Sequence, residues 1–315
     1  MLSRRYLRIK VMQALYAFFQ GDSKDIAKGE REMFNGIDKL YELYHLLLML
    51  LVEVRFNAGR AMEDAKNKMR PTAEDINPNL RFIENKVLAK LDSNKALKKF
   101  AEAHKLSWNN EGELTRRIMN NIRASETYSR YMSSEARSFK ADQEFIIEIY
   151  KEQIADFELL ENFLEEKNIF WFNDFDYVNS MVLKTLEGMS ENDSENARLM
   201  PLYKNEEEDR AFAVDLFRKT IIHDEENQKL IAEKTKNWEV ERIAMMDVLL
   251  MKMAITEILY FQTVPVKVSL NEYIEVSKSF STPKSKVFIN GILDKLVLDF
   301  RSSGRMQKVG RGLLE

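Results

Sequence analysis

Residues 237–261 read NWEVERIAMMDVLLMKMAITEILYF and are apolar on most faces of the helix that they predict. A helix that is hydrophobic nearly all round is normally buried in the centre of a core. Asn237 or a neighbouring residue can cap the start of this helix. Pro265 follows it and enforces a break, because proline has no backbone N–H for the helical hydrogen bonds. We therefore predict a central core helix in the C-terminal part of the chain.

The residues after Pro265 predict two further helices. Ser269 and Glu272 have the spacing of a capping box, so we expect a helix from about 270 to 280. Thr282 and Pro283 predict the N-cap and the first position of one more helix. The stripe of this last helix that we expect to be buried consists of Phe288, Ile289, Ile292, Leu293, Leu296 and Val297.

The rest of the chain also predicts helices and no sheet, so the expected fold class is all-α. The 315 residues include only ten Gly and five Pro, and neither type occurs between Gly112 and Gly188. Helices can therefore run almost uninterrupted there. No alternating apolar and polar run is long enough to indicate a sheet. The helices that we expect before the C-terminal part span residues 36–69, 79–105, 112–140, 141–167 and 174–189.

Charged segments divide the chain. Residues 187–209 hold eight acids and two bases and predict an acidic linker. Residues 80–140 hold thirteen bases and seven acids. We favour a solvated helix face for this basic segment, and an RNA- or ribosome-facing surface is the alternative. The segment from Arg301 onward is basic, contains Gly and Ser, and predicts a flexible tail.

The composition excludes several classes of protein. Lys and Arg number 48 and Asp and Glu number 51, so at a net charge of −3 any nucleic-acid binding must come from a local patch. The absence of Cys excludes disulfides, zinc fingers and thiol nucleophiles and favours an intracellular, cytoplasmic compartment. The longest apolar run, Leu46–Val52, is too short to span a bilayer, so we expect no membrane association.

No catalytic, cofactor or metal site is expected. The only histidines are His45, His104 and His223, and they are far apart and form no metal-ligand motif. No glycine-rich phosphate-binding motif occurs. The sequence therefore indicates a protein that is not an enzyme.

The first helix carries an unusual cluster of cations. Arg4, Arg5, Arg8 and Lys10 lie within seven positions, and no acid occurs before Asp22. Cations near a helix N-terminus are disfavoured by the helix dipole, so their presence needs another reason. Apolar residues such as Leu7 and Val11 predict a buried stripe that leaves the three arginines on one exposed side. A phosphate-contacting patch and an ordinary solvated helix start are equally supported by this pattern.

Four stretches of the chain carry recognisable motifs in a fixed order. Residues 4–20, RRYLRIKVMQALYAFFQ, combine an arginine cluster with a Gln-Ala-Leu-Tyr step. Residues 237–260 form the apolar stretch NWEVERIAMMDVLLMKMAITEILY. The sequences VPVKVSLNEYIEVSKSF and STPKSKVFINGILDKL follow at 264–280 and 281–296. In these stretches the chain resembles the NusB family of bacterial transcription antitermination factors.

The resemblance implies a NusB-like helical bundle with a large helical insertion between the first helix and the C-terminal half. It assigns residues 1–20 to the first family helix and residues 208–300 to the C-terminal subdomain. Residues 21–207 are then an inserted or expanded helical region, within which 170–189 can be read as a divergent family helix. Residues 301–315 are left as the basic tail.

The resemblance also implies a function. Family members bind boxA, a single-stranded element of ribosomal RNA leaders, together with NusE, a small-subunit ribosomal protein, and join the antitermination complex of RNA polymerase. Positions that match the family's RNA-binding residues are Arg4, Arg5, Arg8, Gln13, Lys284 and Phe288. Positions that match its NusE-facing surface are Tyr16 and Asp247. For Phe288 and Tyr16, packing in the core is an equal alternative.

Two other functions stay open at this point. One is a helical interaction scaffold that has lost specific RNA binding. The other is a relative of the NusB-like domain of ribosomal RNA methyltransferases, which is disfavoured because the chain predicts neither the strands nor the glycine-rich loop of a methyl-donor domain. The resemblance also leaves homodimer formation and the role of residues 21–207 open.

Overall fold

The computed structural model describes residues 1–235 and 244–313, and this part of the chain is helical without any β-strand. The predicted all-α class is therefore confirmed. Asn237, the predicted helix cap, lies outside the described residues. In chain order the α-helices are α1 (Arg4–Gln20), α2 (Ile26–Lys66), α3 (Ala73–Ile76), α4 (Lys86–Ser93), α5 (Lys95–His104), α6 (Gly112–Ala124), α7 (Glu126–Ser133), α8 (Phe139–Tyr150), α9 (Glu158–Lys167), α10 (Phe175–Gly188), α11 (Glu206–Ile222), α12 (Asp224–Lys234), α13 (Met245–Tyr260), α14 (Val266–Phe280) and α15 (Ser285–Ser302).

The helices form two compact units. The central unit comprises residues 36–202 with Met1, and the terminal unit comprises residues 2–35 and 203–315. The terminal unit thus joins the first helix to the C-terminal helices, two parts of the chain that carry the family-like motifs. No helix within the described residues is both long enough and apolar enough to cross a membrane.

In the terminal unit, α13 is the central helix. It contacts α1, α11, α12, α14 and α15. Leu250, Met251, Met253, Ala254 and Ile255 are all fully buried, so successive residues of α13 are covered on every side. The prediction that this nearly all-apolar helix lies in the middle of a core is confirmed.

The central unit is built around α8, which contacts α4, α7 and α10. The helix predicted at 36–69 corresponds to α2, which begins ten residues earlier, and the one predicted at 174–189 corresponds to α10. The predicted helices 79–105, 112–140 and 141–167 are each divided into shorter ones, although the segment 113–187 contains no Gly or Pro. Serine residues that cap the start of a new helix divide the stretch 112–140 instead. The Ser125 hydroxyl accepts a hydrogen bond from Tyr128 N at 3.1 Å, and the Ser138 hydroxyl accepts one from Ala141 N at 3.1 Å. Each cap satisfies a backbone N–H at the start of a new helix, which makes the break favourable.

Two predicted helix starts in the terminal unit are wrong. α14 begins at Val266, directly after Pro265, so Ser269 lies within the helix and its hydroxyl donates to the Glu257 carboxylate instead of capping. α15 begins at Ser285, because Thr282 and the following residues form a turn in which Ser285 N donates to Thr282 O at 2.9 Å. In both cases a tertiary or turn contact replaces the expected cap.

Within the acidic segment 187–209, residues 189–205 contain no helix, whereas residues 187–188 end α10 and residues 206–209 begin α11. The prediction of a flexible tail is wrong for residues 303–313, which make specific contacts within the terminal unit. Val309 N donates to Gln262 O at 3.0 Å, and Lys308 Nζ donates to Phe261 O at 2.9 Å. These two bonds satisfy acceptors at the C-terminal end of α13 and hold the tail against it.

Candidate nucleic-acid interface

The first residues of α1 line a groove in the terminal unit. The groove has a volume of about 870 Å³. Ser3 caps the helix by accepting a hydrogen bond from Tyr6 N at 3.1 Å, which sets the directions of the residues that follow. The cations that line the groove are Arg4, Arg5, Arg8 and Arg311. Its apolar lining comes from Phe212, Phe261, Val264, Pro265 and Val268, and its acids are Glu208, Asp215 and Glu272.

Arg4 lies over an aromatic ring on one wall of this groove. Its guanidinium carbon is 4.4 Å from the centre of the Phe212 ring, and Nε is 3.1 Å from Oδ1 of Asp209. The Asp209 side chain is nearly buried, whereas that of Arg4 is 40% exposed. The ring holds the guanidinium by cation–π attraction, and the exposed part of the side chain can still bind a phosphate.

Arg5 is held in the same groove by a bidentate ion pair. Its Nε and Nη2 atoms donate to the two carboxylate oxygens of Glu272 at 2.8 and 2.9 Å. These hydrogen bonds raise the pKa of Arg5. The side chain is nevertheless 47% exposed, so an incoming phosphate can reach it.

The structure contradicts the prediction that Arg8 is exposed. It is 3% exposed, and its Nε and Nη2 atoms donate to Glu257 at 2.8 and 2.6 Å. Burial by itself would lower the pKa of Arg8, but the hydrogen bonds and the charge of Glu257 outweigh it and raise the pKa. Lys10 is also buried, at 3% exposure. The prediction of one exposed arginine side is therefore wrong for Arg8, because α13 supplies a carboxylate that neutralises it inside the core.

Glu257 was missed by the sequence reasoning, although its buried carboxylate holds Arg8, a residue that lines the groove. Besides Arg8 it accepts hydrogen bonds from Ser269 Oγ at 2.7 Å and from Tyr273 OH at 3.0 Å. Burial and then the charge of Glu257 raise the pKa of Tyr273, so its phenol stays protonated and donates. The available signal was an acid within the apolar run of α13, where a buried carboxylate is costly without a basic partner.

Gln13, Lys284 and Phe288 do not line this groove. Gln13 and Phe288 are half-buried and Lys284 is exposed. A charge at the start of α15 nevertheless acts on the same carboxylate as Arg5 does. The pKa of Glu275 is lowered mainly by its hydrogen bond with Lys278, and also by the positive charges of Arg5 and Lys286. The RNA-binding roles of Gln13, Lys284 and Phe288 stay predictions.

The two residues predicted to face NusE differ in exposure. Tyr16 is 41% exposed on α1, so its side chain is available to a partner and is not a core residue. Asp247 is 5% exposed, and its carboxylate accepts hydrogen bonds from Ser281 at 2.5 Å and Ser285 at 2.8 Å. Asp247 therefore joins α13 to the start of α15. The structure gives it this stabilising role, and its contact with a partner stays a prediction.

No group of three or more His, Asp or Glu within the described ranges could hold a metal ion. The guanidinium groups and the Phe212 ring of the groove offer ionic and cation–π contacts. Guanidinium groups above an apolar, partly aromatic floor fit a ligand with anionic groups and flat rings, which is the chemistry of a single-stranded nucleic acid.

The fold and this groove define a helical protein with a cationic site at the start of its first helix. Comparison with known proteins identifies its family: the model of the NusB family matches residues 177–297. The transcription antitermination protein NusB of Salinibacter ruber is 48% identical over 105 residues, which are 33% of this chain and 66% of that protein. The NusB protein of Geobacter sulfurreducens is 40% identical over 95 residues, 30% of this chain and 69% of that protein. The chain belongs to the NusB family.

A third relative, the NusB protein of Chloroherpeton thalassium, is 49% identical over 85 residues, 27% of this chain and 40% of that protein. The chain thus covers just under two thirds of the Salinibacter protein and less than half of the Chloroherpeton protein. The family match begins at residue 177, within α10, and ends before the tail. It therefore includes part of the segment 170–189 that can be read as a divergent family helix. No solved structure matches this chain.

Proposed function

We propose that this protein is a transcription antitermination factor that binds boxA-type single-stranded RNA of ribosomal RNA leaders. In this proposal it acts together with NusE as a non-enzymatic adaptor to the antitermination complex of RNA polymerase, and therefore in the cytoplasm. The observation that carries the proposal is the groove at the start of α1, where Arg4 and Arg5 are exposed above an apolar floor. The names of the three relatives support the role in transcription antitermination.

The two exposed arginines suit phosphate binding for a physical reason. Each side chain is 40% or more exposed although it pairs with a carboxylate, so a phosphate can reach its guanidinium. A guanidinium can also contact phosphate bidentately and stack on a base. The Arg4 guanidinium carbon already lies over an aromatic ring, 4.4 Å from the centre of Phe212. Arg8 enters the proposal only as the residue that fixes α1 against α13, because its guanidinium is buried.

Binding of a labelled single-stranded RNA that carries boxA, compared with a scrambled RNA of equal length, tests the proposal. We expect tighter binding to boxA, further tightening on addition of NusE, and a loss of affinity in Arg5→Ala. With about three to five cations engaged, the logarithm of the binding constant should fall with the logarithm of salt concentration at a slope of about −2 to −3.5.

A matched control is Lys229→Ala, which removes one exposed cation from α12, away from the groove. It should leave RNA affinity unchanged and so separate a local effect at Arg5 from a change in net charge. Equal binding to boxA and scrambled RNA, a flat salt response and indifference to NusE would contradict the proposal. That result would instead support a helical interaction scaffold without specific RNA binding.

A further inference from the structure

The tail after α15 returns to the groove by a specific path. Gly304 has φ +68°, a left-handed conformation that reverses the chain directly after the helix. Arg305 then forms an ion pair with Glu226 of α12. The chain continues to a short 3₁₀ turn at Gly310–Leu313, whose first residue has φ +54°. Glycines thus stand at both places where the tail needs a positive φ.

Three contacts anchor the end of this path at one point, the C-terminal end of α13. Val309 N donates to Gln262 O at 3.0 Å, and Lys308 Nζ donates to Phe261 O at 2.9 Å. Gly312 lies so close to Gln262 that a Cβ at this position would be 1.9 Å from the carbonyl oxygen. Any other residue at position 312 would therefore force the turn away from its site.

The anchored turn brings a fourth arginine to the groove. Arg311 is exposed and lines the groove with Arg4, Arg5 and Arg8. Those three each have a carboxylate partner: Asp209, Glu272 and Glu257 respectively. For Arg311, no carboxylate among residues 1–235 and 244–313 lies within ion-pair distance.

We propose that the tail is part of the nucleic-acid interface and that Arg311 binds an RNA phosphate there. This inference rests on the proposed function. A guanidinium that pairs with no carboxylate of the described residues gives up no ion pair with them when it binds phosphate. Arg311 is therefore the lining cation that gains most from a polyanion. The family match ends at residue 297, so this contribution comes from a segment outside the matched region.

Phosphate contacts position a nucleic acid and carry no sequence information. Removing the Arg311 side chain should consequently weaken binding to boxA and scrambled RNA by the same factor, roughly three- to tenfold. It should also make the salt slope shallower by about 0.7, the value for one phosphate contact with a single strand. Arg311→Lys should retain part of the affinity, because it keeps the charge and loses only the bidentate geometry.

The experiment measures RNA binding by the full chain and by Arg311→Ala, Arg311→Lys and Gly312→Ala at several salt concentrations. Lys295→Ala is the matched control, since Lys295 is an exposed cation of α15 that does not line the groove. Gly312→Ala keeps every cation and disturbs only the anchor at Gln262. We expect it to weaken binding about as much as Arg311→Ala does, with Lys295→Ala unchanged.

Two results would overturn the inference in different ways. If Arg5→Ala weakens binding while Arg311→Ala binds like Lys295→Ala, the tail has no part in the interface, and the proposed function survives. If the unmodified protein shows no salt-sensitive RNA binding at all, both the proposed function and the role of Arg311 are contradicted. Thermal unfolding of each variant identifies any loss of affinity that is caused by loss of fold.

Discussion

Arg8 and Glu257, 249 positions apart in the chain, form a bidentate ion pair in the core of the terminal unit, with N–O distances of 2.8 and 2.6 Å. The Arg8 side chain is 3% exposed and that of Glu257 is 0% exposed. The pair joins α1 to α13, and Ser269 and Tyr273 of α14 complete the hydrogen bonding of the carboxylate. The helices α1, α13 and α14, which lie at the candidate interface, are therefore joined through the buried carboxylate of Glu257.

Removing one partner of this pair should be strongly destabilising. Arg8→Met leaves the Glu257 carboxylate buried without its counter-charge, and we expect the free energy of unfolding to fall by about 3–5 kcal/mol. Urea denaturation measures the change. The double variant Arg8→Met/Glu257→Met should recover a large part of it, because neither charge then remains in the core. Lys229→Met, an exposed cation on α12, is the control and should change stability by less than about 0.5 kcal/mol. A loss of similar size in Arg8→Met and the control would contradict this account.

Neutralising Glu272 should strengthen RNA binding. This carboxylate holds Arg5 by two hydrogen bonds and adds negative charge to the groove. We expect Glu272→Gln to tighten binding roughly two- to fivefold at low salt, with a smaller effect at high salt where the charge is screened. A salt series of RNA titrations checks this, with Glu233→Gln on α12 as a control of equal charge change away from the groove. Weaker binding in Glu272→Gln would show that the ion pair is needed to position Arg5.

Substitutions at Tyr16 and at Asp247 should differ in their effects on partner binding and on stability. Tyr16 is 41% exposed, so Tyr16→Ala should leave thermal unfolding nearly unchanged and weaken NusE binding if the proposed partner surface is right. Asp247→Ala removes the acceptor of the Ser281 and Ser285 hydroxyls and should destabilise the terminal unit by about 1–3 kcal/mol. Calorimetric titration with NusE, together with thermal unfolding of both variants, tests the distinction. Full NusE affinity in Tyr16→Ala would remove Tyr16 from the predicted surface.

The central unit should lose stability in mild acid because of His45. Burial lowers the pKa of His45 to about 4, with the charge of His104 acting in the same direction and a hydrogen bond with Tyr41 O opposing it. The unfolded chain takes up a proton near pH 6.5 and the folded chain does not, so stability present at neutral pH is lost as pH falls from 6.5 towards 4. The loss is up to about 3 kcal/mol.

Thermal unfolding between pH 4 and 7 measures this effect. His45→Gln should show a flatter pH dependence than the unmodified protein, since glutamine does not titrate. His223→Gln is the control in the terminal unit, where the histidine is only half-buried. An unchanged pH profile in His45→Gln would assign the acid sensitivity to other groups.

Much of the architecture could be predicted from local sequence. The nearly all-apolar run of α13 predicted a central helix, and α13 contacts five other helices of its unit. Scarcity of Gly and Pro predicted helices through the middle of the chain. It did not predict their breaks, because serine caps such as Ser125 end a helix without either residue. Local motifs also misplaced two helix starts, since the Ser269 hydroxyl bonds to a distant carboxylate instead of its own helix.

By itself, the sequence determined the all-helical class, the membership of the NusB family and the presence of a cation cluster in α1. Helical periodicity and family motifs are local properties, so they can be read without knowing which helices meet. The tertiary structure alone decided which cations are available to a ligand. It paired Arg8 with Glu257 in the core and brought Arg311 to the groove beside Arg4 and Arg5. Burial and pairing of a charge depend on residues far away in the chain, and only the packing of the helices brings those residues together.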